Sequence, residues 1–202
     1  GAVLAQMDEM VGFQSTRAPG WEKAYVIPGM QAVTAKPHSI LVDQTGLRYL
    51  NEGGSYELYC QSMLERNRTV PAVPSWAIMD AQYMAKYSLA DRMGGGKVKP
   101  EWIESGWLKQ GATIEALAGA IGVDPATLRA TIERWNHFVD QNRDEDFHRA
   151  ERAYDHFSGH DYTPPDRLSA YAAAVQNGSC ITFAVPLLTA FGKHGSEIYR
   201  QI

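Results

Sequence analysis

The sequence predicts an α+β fold, a small mixed sheet with helices packed against it. Two observations lead there. Short β-rich runs and stretches of helical period are interspersed without the regular alternation that a doubly wound sheet requires. No internal repeat or low-complexity segment points to a solenoid or a linker-built chain.

The elements follow in order. Residues 1–12 carry apolar side chains at Val3, Leu4, Met7, Met10 and Val11, which is helical spacing. Residues 17–37 contain Pro19, Gly20, Pro28, Gly29 and Pro37 and read as a loop or short irregular strands. The run "SILVDQTGLRYLNE" reads as a hairpin, with one strand at 40–42, a turn at 43–46 and a return at 47–50. In "SYELYCQSMLERN", Tyr56, Tyr59, Cys60, Met63 and Leu64 fall on one helical face, and Ser55 is placed to cap it. "SWAIMD" reads as a strand, and "AQYMAKYSLADRM" as a helix ending at Gly94-Gly95-Gly96. Thr113 caps a short helix that stops at Gly122. Asp124 then caps a longer one whose first residue, Pro125, loses no bond because that amide has no helical partner. This helix should bury Leu128, Thr131, Ile132, Trp135, Phe138 and Val139. An acidic turn, "DEDF", comes next, and "CITFAVPLL" reads as a strand near the end.

Composition narrows the function. The 202 residues suffice for a substantial core, and 45% hydrophobic with 21% charged residues is the balance of a soluble globular protein. A net charge of −4 argues against a nucleic-acid surface, which needs clustered Lys and Arg. No apolar run approaches the roughly 20 residues of a membrane span. The N-terminal stretch has early acids and no basic segment, so it is not read as a secretory signal. Cys60 and Cys180 lie far apart, which fits two reduced thiols in a cytoplasmic protein. "GAVLAQMDEMVGF" reads like the middle of a helix, and "KHGSEIYRQI" stops without a finishing element. The chain is therefore expected to be a piece of a longer polypeptide.

Several motifs carry bland readings. G-x-G-x-x-G, Walker A, H-E-x-x-H and G-x-S-x-G do not occur. Gly94-Gly95-Gly96-Lys97 lacks the spacing of a phosphate loop and reads as a flexible connector. Asp140, Asn142, Asp144 and Glu151 have the spacing of calcium ligands, but Glu145 replaces the turn glycine, so a solvated acidic turn is expected. His156 and His160 are interrupted by Gly159 and lack a third ligand, so no metal site is expected.

The stretch "GLRYLNEGGSYELYCQ" offers more. One reading is a hairpin running into a helix whose Tyr56 packs on the core. The other places Tyr56 at a helix start, where the positive end of the dipole and free N–H groups favour a phenolate able to take a carbon-bound proton. Glu52 would then hold a backbone amide or position a neighbour.

The ordered segments "HSILVDQTGLRYLNEGGSYE", "WAIMDAQYMAKY", "GATIEALAGAIGVDPATLRATIERWN" and "DEDFHRAERAYD" resemble the FAD-dependent fumarate reductase/3-ketosteroid dehydrogenase superfamily over about residues 1–160. The resemblance implies the cap, or substrate, domain of a flavoprotein dehydrogenase: a connecting segment at 1–36, the cap domain at 37–160, and at 161–202 a segment returning to an FAD domain. It implies FAD, bound mainly by parts of the polypeptide outside these residues. Fumarate reductases place a proton-relaying Arg four residues after the Glu, where this chain has Tyr56, as the steroid enzymes do. They also place a catalytic Arg four residues after the cap-domain Asp; counted from Asp80, that position is Met84. Two absent guanidinium groups would leave a dicarboxylate unpaired. The implied reaction is dehydrogenation of a CH–CH group beside a carbonyl, with Tyr56 abstracting a proton and FAD accepting hydride. A small apolar carbonyl compound would be the substrate, a 3-ketosteroid being one candidate, with Glu52 and Phe183 as substrate-site residues. Phe183 stands where the steroid enzymes carry a ketone-polarising Tyr, and it lacks the hydroxyl. A fumarate-type cap domain and a non-enzymatic α+β binding module remain as alternatives. Trp76, Tyr83, Tyr87, Trp102 and Trp107 suit either a flat apolar pocket or an ordinary core.

Overall fold

The computed structural model describes residues 12–20, 33–155 and 182–190. A three-strand antiparallel centre organises them. β2 (Ser39–Val42) pairs with β3 (Ser75–Met79), and β3 pairs with β5 (Thr182–Ala190). β4 (Lys109–Gly111) and β1 (Phe13–Ser15) also pair antiparallel with β5, at 182–184 and 188–190 respectively. Pro186, which has no N–H to give a ladder, sits opposite Trp76 in the interval between those two registers.

The continuous apolar runs of β2 and β3 are explained by burial on both faces. Successive side chains alternate between two cores. Ile40, Val42, Ile78 and Ala184 face one core with Leu117, Leu128, Ile132 and Trp135. Those last four come from α4 (Ile114–Ile121) and α5 (Pro125–Gln141). Leu41, Ala77 and Met79 face the other, with Tyr59 and Met63 of α1 (Tyr56–Asn67), Tyr83 and Met84 of α2 (Ala81–Lys86), and Trp102 of α3 (Pro100–Glu104). The result is a sheet between two helical layers, a mixed α+β architecture.

The helix pair forms as its caps dictate. Thr113 Oγ1 accepts from the Ala116 amide, Gly122 ends α4 at φ 76°, and the Asp124 carboxylate accepts from the Thr127 amide at 2.7 Å. The six positions expected to be buried on α5 are buried.

Three expectations need correction. The predicted hairpin return at 47–50 is not a strand; β2 takes β3 as its partner instead. The turn at 43–46 packs across α5, where Thr131 Oγ1 donates to Gly46 O at 2.8 Å. Gly46 has φ 89°, a conformation that favours glycine, and packs against α5 at ordinary van der Waals distance from Leu128. The helix predicted through residue 93 stops at Lys86. Arg92 folds back and donates to the carbonyls of Met84, Met93 and Gly96, satisfying the helix end with a side chain. The glycine run is no slack connector, because a Cβ on Gly94 would meet Lys86 O at 2.2 Å. All but the last residue of the helix expected at 1–12, most of the loop expected at 17–37, His156, His160 and Cys180 lie outside the described residues. Among the described residues no helix is long and apolar enough to cross a membrane, and no His/Cys/Asp/Glu group could hold a metal ion.

Ile78 is fully buried at the centre of the sheet. Ile78→Ala should lower stability by about 2–5 kcal/mol, read as a reduced urea midpoint, through lost transfer energy plus the cavity left behind.

Candidate active site

The loop ahead of α1 is pinned residue by residue. Asn51 Oδ1 accepts from the Gly53 amide at 2.8 Å, and Gly54 N donates to Asn51 O at 3.1 Å, closing a tight turn. Glu52 turns inward. Ser55 then caps α1, its hydroxyl accepting from the Leu58 amide. Tyr56 is the first residue of the twelve-residue helix and leaves 45% of its surface exposed.

Glu52 of this loop enters a buried ion network. Arg48 Nη2 donates to Glu52 Oε2 at 2.7 Å and to Asp144 Oδ2 at 2.9 Å. Its guanidinium also stacks 4.2 Å from the centre of the Trp135 ring. Arg149 adds a second guanidinium, 3.5 Å from Glu52, and donates to the carbonyls of Ser39 and Lys36. Two cations therefore face two carboxylates, with all four side chains almost completely buried. Glu52 Oε1 also accepts from the Leu41 amide, so a carboxylate caps the β2 edge in place of a neighbouring strand. The acidic turn is solvated at Asp140, Glu145, Asp146 and Glu151, but Asp144 departs from that expectation: it is fully buried and accepts from the amides of Asp146, Phe147 and Arg149. Burial alone would push the Asp144 carboxyl up, but the Arg48 guanidinium and these amides hold it below the usual carboxylate range.

Burial sorts the tyrosines. It pushes the phenols of Tyr49, Tyr59 and Tyr83 well above their ordinary value, which keeps them neutral. Tyr49 is bonded to Ser75 Oγ and Tyr59 to Thr34 Oγ1. Tyr56 is exposed instead, at the positive end of a helix. Tyr154 is exposed as well, and it too lies at the start of a helical stretch, residues 153–155.

The aromatic residues that could have lined a flat pocket are mostly core: Tyr83, Tyr87, Trp102 and Trp107 all belong to the buried cluster. Met84 is buried, and the guanidinium beside it, that of Arg92, is engaged by backbone carbonyls. A groove of about 780 Å³ runs between Arg48, Tyr49, Leu64, Arg66 and Phe147, and Tyr56 does not line it. Phe183 pairs through its backbone with Met79 and Gln110, while its side chain lies outside those described. Sequence reading found Tyr56 and Glu52 but not the Arg48–Asp144 pair, 96 residues apart. The alternation of charged Arg48 and Glu52 within a buried stretch was the available signal.

With this geometry in place, comparison assigns the class. The chain belongs to the family described as FAD binding domain, whose profile matches residues 6–177, and FAD is the family's cofactor. The 3-oxosteroid 1-dehydrogenase of Mycobacterium tuberculosis is 33% identical over 135 residues, 64% of this chain and 24% of that protein. The 4-oxocyclohex-2-ene-1-carboxylate 5-dehydrogenase of Sinomonas cyclohexanicum is 31% identical over 166 residues, 79% of this chain and 28% of that protein. Among solved structures, 3-ketosteroid Δ1-dehydrogenase from Sterolibacterium denitrificans, in complex with 1,4-androstadiene-3,17-dione, superposes with TM-score 0.79 at 26% identity, covering 93% of this chain and 33% of that one. The chain thus spans about a quarter of the length of the curated relatives it matches. Among the described residues, the backbone clefts at Gly53, Gly94 and Gly111 are filled by Asp155, Lys86 and Leu117. Those three glycines therefore leave no open backbone to cradle a pyrophosphate.

Asp144→Ala should cost about 3–5 kcal/mol, since it leaves a buried guanidinium half paired. Because the folded-state pKa lies below the unfolded one, near 3.9, this stabilisation is fully present above about pH 4. It is lost as pH falls through the folded value. Acid denaturation followed by circular dichroism should therefore begin at higher pH in Asp144→Ala than in the parent.

Proposed function

We propose that residues 37–160 form the substrate-covering cap domain of an FAD-dependent dehydrogenase, with 1–36 and 161–202 connecting it to an FAD domain of the same polypeptide. The reaction is the introduction of a double bond beside a ring carbonyl. The observation that carries this reading is Tyr56, an exposed phenol at the first position of a helix whose lead-in loop is fixed by buried charge.

Tyr56 takes a proton from the carbon next to the carbonyl, and FAD, when bound, accepts hydride from the neighbouring carbon. Glu52 acts here as a positioning residue: its carboxylate is buried and bound to Arg48 and the Leu41 amide, which departs from the expectation of a substrate contact. Phe183, on the strand paired with β3, has no hydroxyl with which to hydrogen-bond the ketone.

The substrate class is a cyclic ketone. Relatives named for 3-oxosteroids and for 4-oxocyclohexene carboxylates share a six-membered ring with a carbonyl beside a CH–CH bond. A 3-ketosteroid is one member of that class. A fumarate-type reaction is disfavoured by Tyr56 and by the buried Met84, which replace the two arginines a dicarboxylate needs. Membership of an FAD-binding family weighs against a purely structural module.

In the full-length protein, Tyr56→Phe should lower the rate of flavin reduction by a cyclic ketone by about 10²–10⁴-fold while the bound-FAD spectrum stays unchanged. A variant as fast as the parent would remove Tyr56 from the chemistry. The 202-residue chain alone should purify without a flavin absorbance band, and a yellow preparation would place the cofactor site within it.

A further inference from the structure

We infer that Asp155, acting through Asn51, is a positioning residue for Tyr56. The inference rests on the proposed role of Tyr56 and adds a part of the site that sequence reading did not single out.

Asp155 lies 99 residues beyond Tyr56 and is 2% exposed. Its Oδ2 accepts from Asn51 Nδ2 at 2.9 Å, from the Ala150 amide at 3.0 Å and from the Arg152 amide at 3.4 Å. The other face of Asn51 holds the Gly53 amide, so one side chain joins the remote carboxylate to the lead-in turn. Gly53 makes the contact close. A Cβ there would stand 3.0 Å from Asp155 Cβ, 3.2 Å from its Cα and 3.3 Å from Asn51 Oδ1. Glu52, between them, is drawn the opposite way into the Arg48 and Arg149 network. The chain is therefore gripped from two sides within three residues, 51–53, and Tyr56 follows three residues after that grip. Such a double anchor sets the position of the Tyr56 Cα while leaving its ring free toward solvent. A side chain that must meet a carbon-bound proton needs that arrangement, since a misplacement of about 1 Å can cost a hundredfold in rate.

The charge of Asp155 is not what the clamp requires; an acceptor at Oδ2 is. Asp155→Asn can present its amide oxygen to the same three donors, whereas Asp155→Ala cannot. Gly53→Ala leaves the carboxylate intact but wedges the loop away from it, and it disturbs no positive φ.

The experiment uses the full-length protein with 3-fluorotyrosine placed at position 56, read by fluorine NMR alongside ketone-dependent flavin reduction. The parent should give one sharp resonance. Asp155→Ala and Gly53→Ala should shift or split it and lower kcat by roughly 10–100-fold, with KM and FAD content changed less than about threefold. Asp155→Asn should restore the resonance and keep kcat within about threefold of the parent. A resonance unmoved by both Asp155→Ala and Gly53→Ala overturns the inference, as does an Asp155→Asn variant as perturbed as Asp155→Ala. If Asp155→Ala fails to fold, Gly53→Ala and Asp155→Asn still decide the matter. If Tyr56→Phe retains full turnover, the catalytic reading fails, while the resonance still reports whether Asp155 positions the ring.

Discussion

The structure depends on a pair of buried arginines meeting a pair of buried carboxylates. Taking four ionised groups out of water is costly unless each finds its partners, and here each does. Arg48 reaches Glu52 and Asp144, Arg149 reaches Glu52 and two carbonyls, and Trp135 lies against both guanidinium groups. The network joins the β2 edge, the loop before α1, the face of α5 and the turn at 143–149. Such a set specifies an arrangement more than it adds net stability, because any displacement strands a charge.

That constraint explains why the loop 48–55 is not a strand. A hairpin return would need its amides paired along β2, and Glu52 already occupies the Leu41 amide. The chain instead crosses α5 through Gly46 and enters α1 at a fixed angle, with Arg66 of α1 tied to Asp43 of the turn at 2.7 Å. The two-sided sheet supplies the rigid platform: its apolar residues divide between two cores, so neither face can shift without opening the other.

The proposed function rests on a contrast within one residue type. Tyr59 and Tyr83 are buried and Tyr49 is half-buried, and all three are hydrogen-bonded and held neutral. Tyr56 is the same residue type at a helix start with its ring in reach of solvent. A fixed backbone with a free phenol is suited to proton transfer, and relatives named as dehydrogenases of cyclic ketones supply the chemistry in which such a group would act.

The sequence by itself determined the helix pair 113–141, its caps and its buried face, because capping and helical period are local properties of the chain. It likewise determined the start of α1 at Ser55-Tyr56, and its ordered motifs pointed to the flavoprotein family. The partner of β2, the early end of α2, the burial of Asp144 and the clamp from Asp155 to Asn51 emerge from how the folded chain packs. Each of these joins groups far apart in the chain or turns a charged side chain inward. Local pattern reads a charge as a solvated face, whereas burial with an opposite charge depends on which distant segments meet, and that is set by packing.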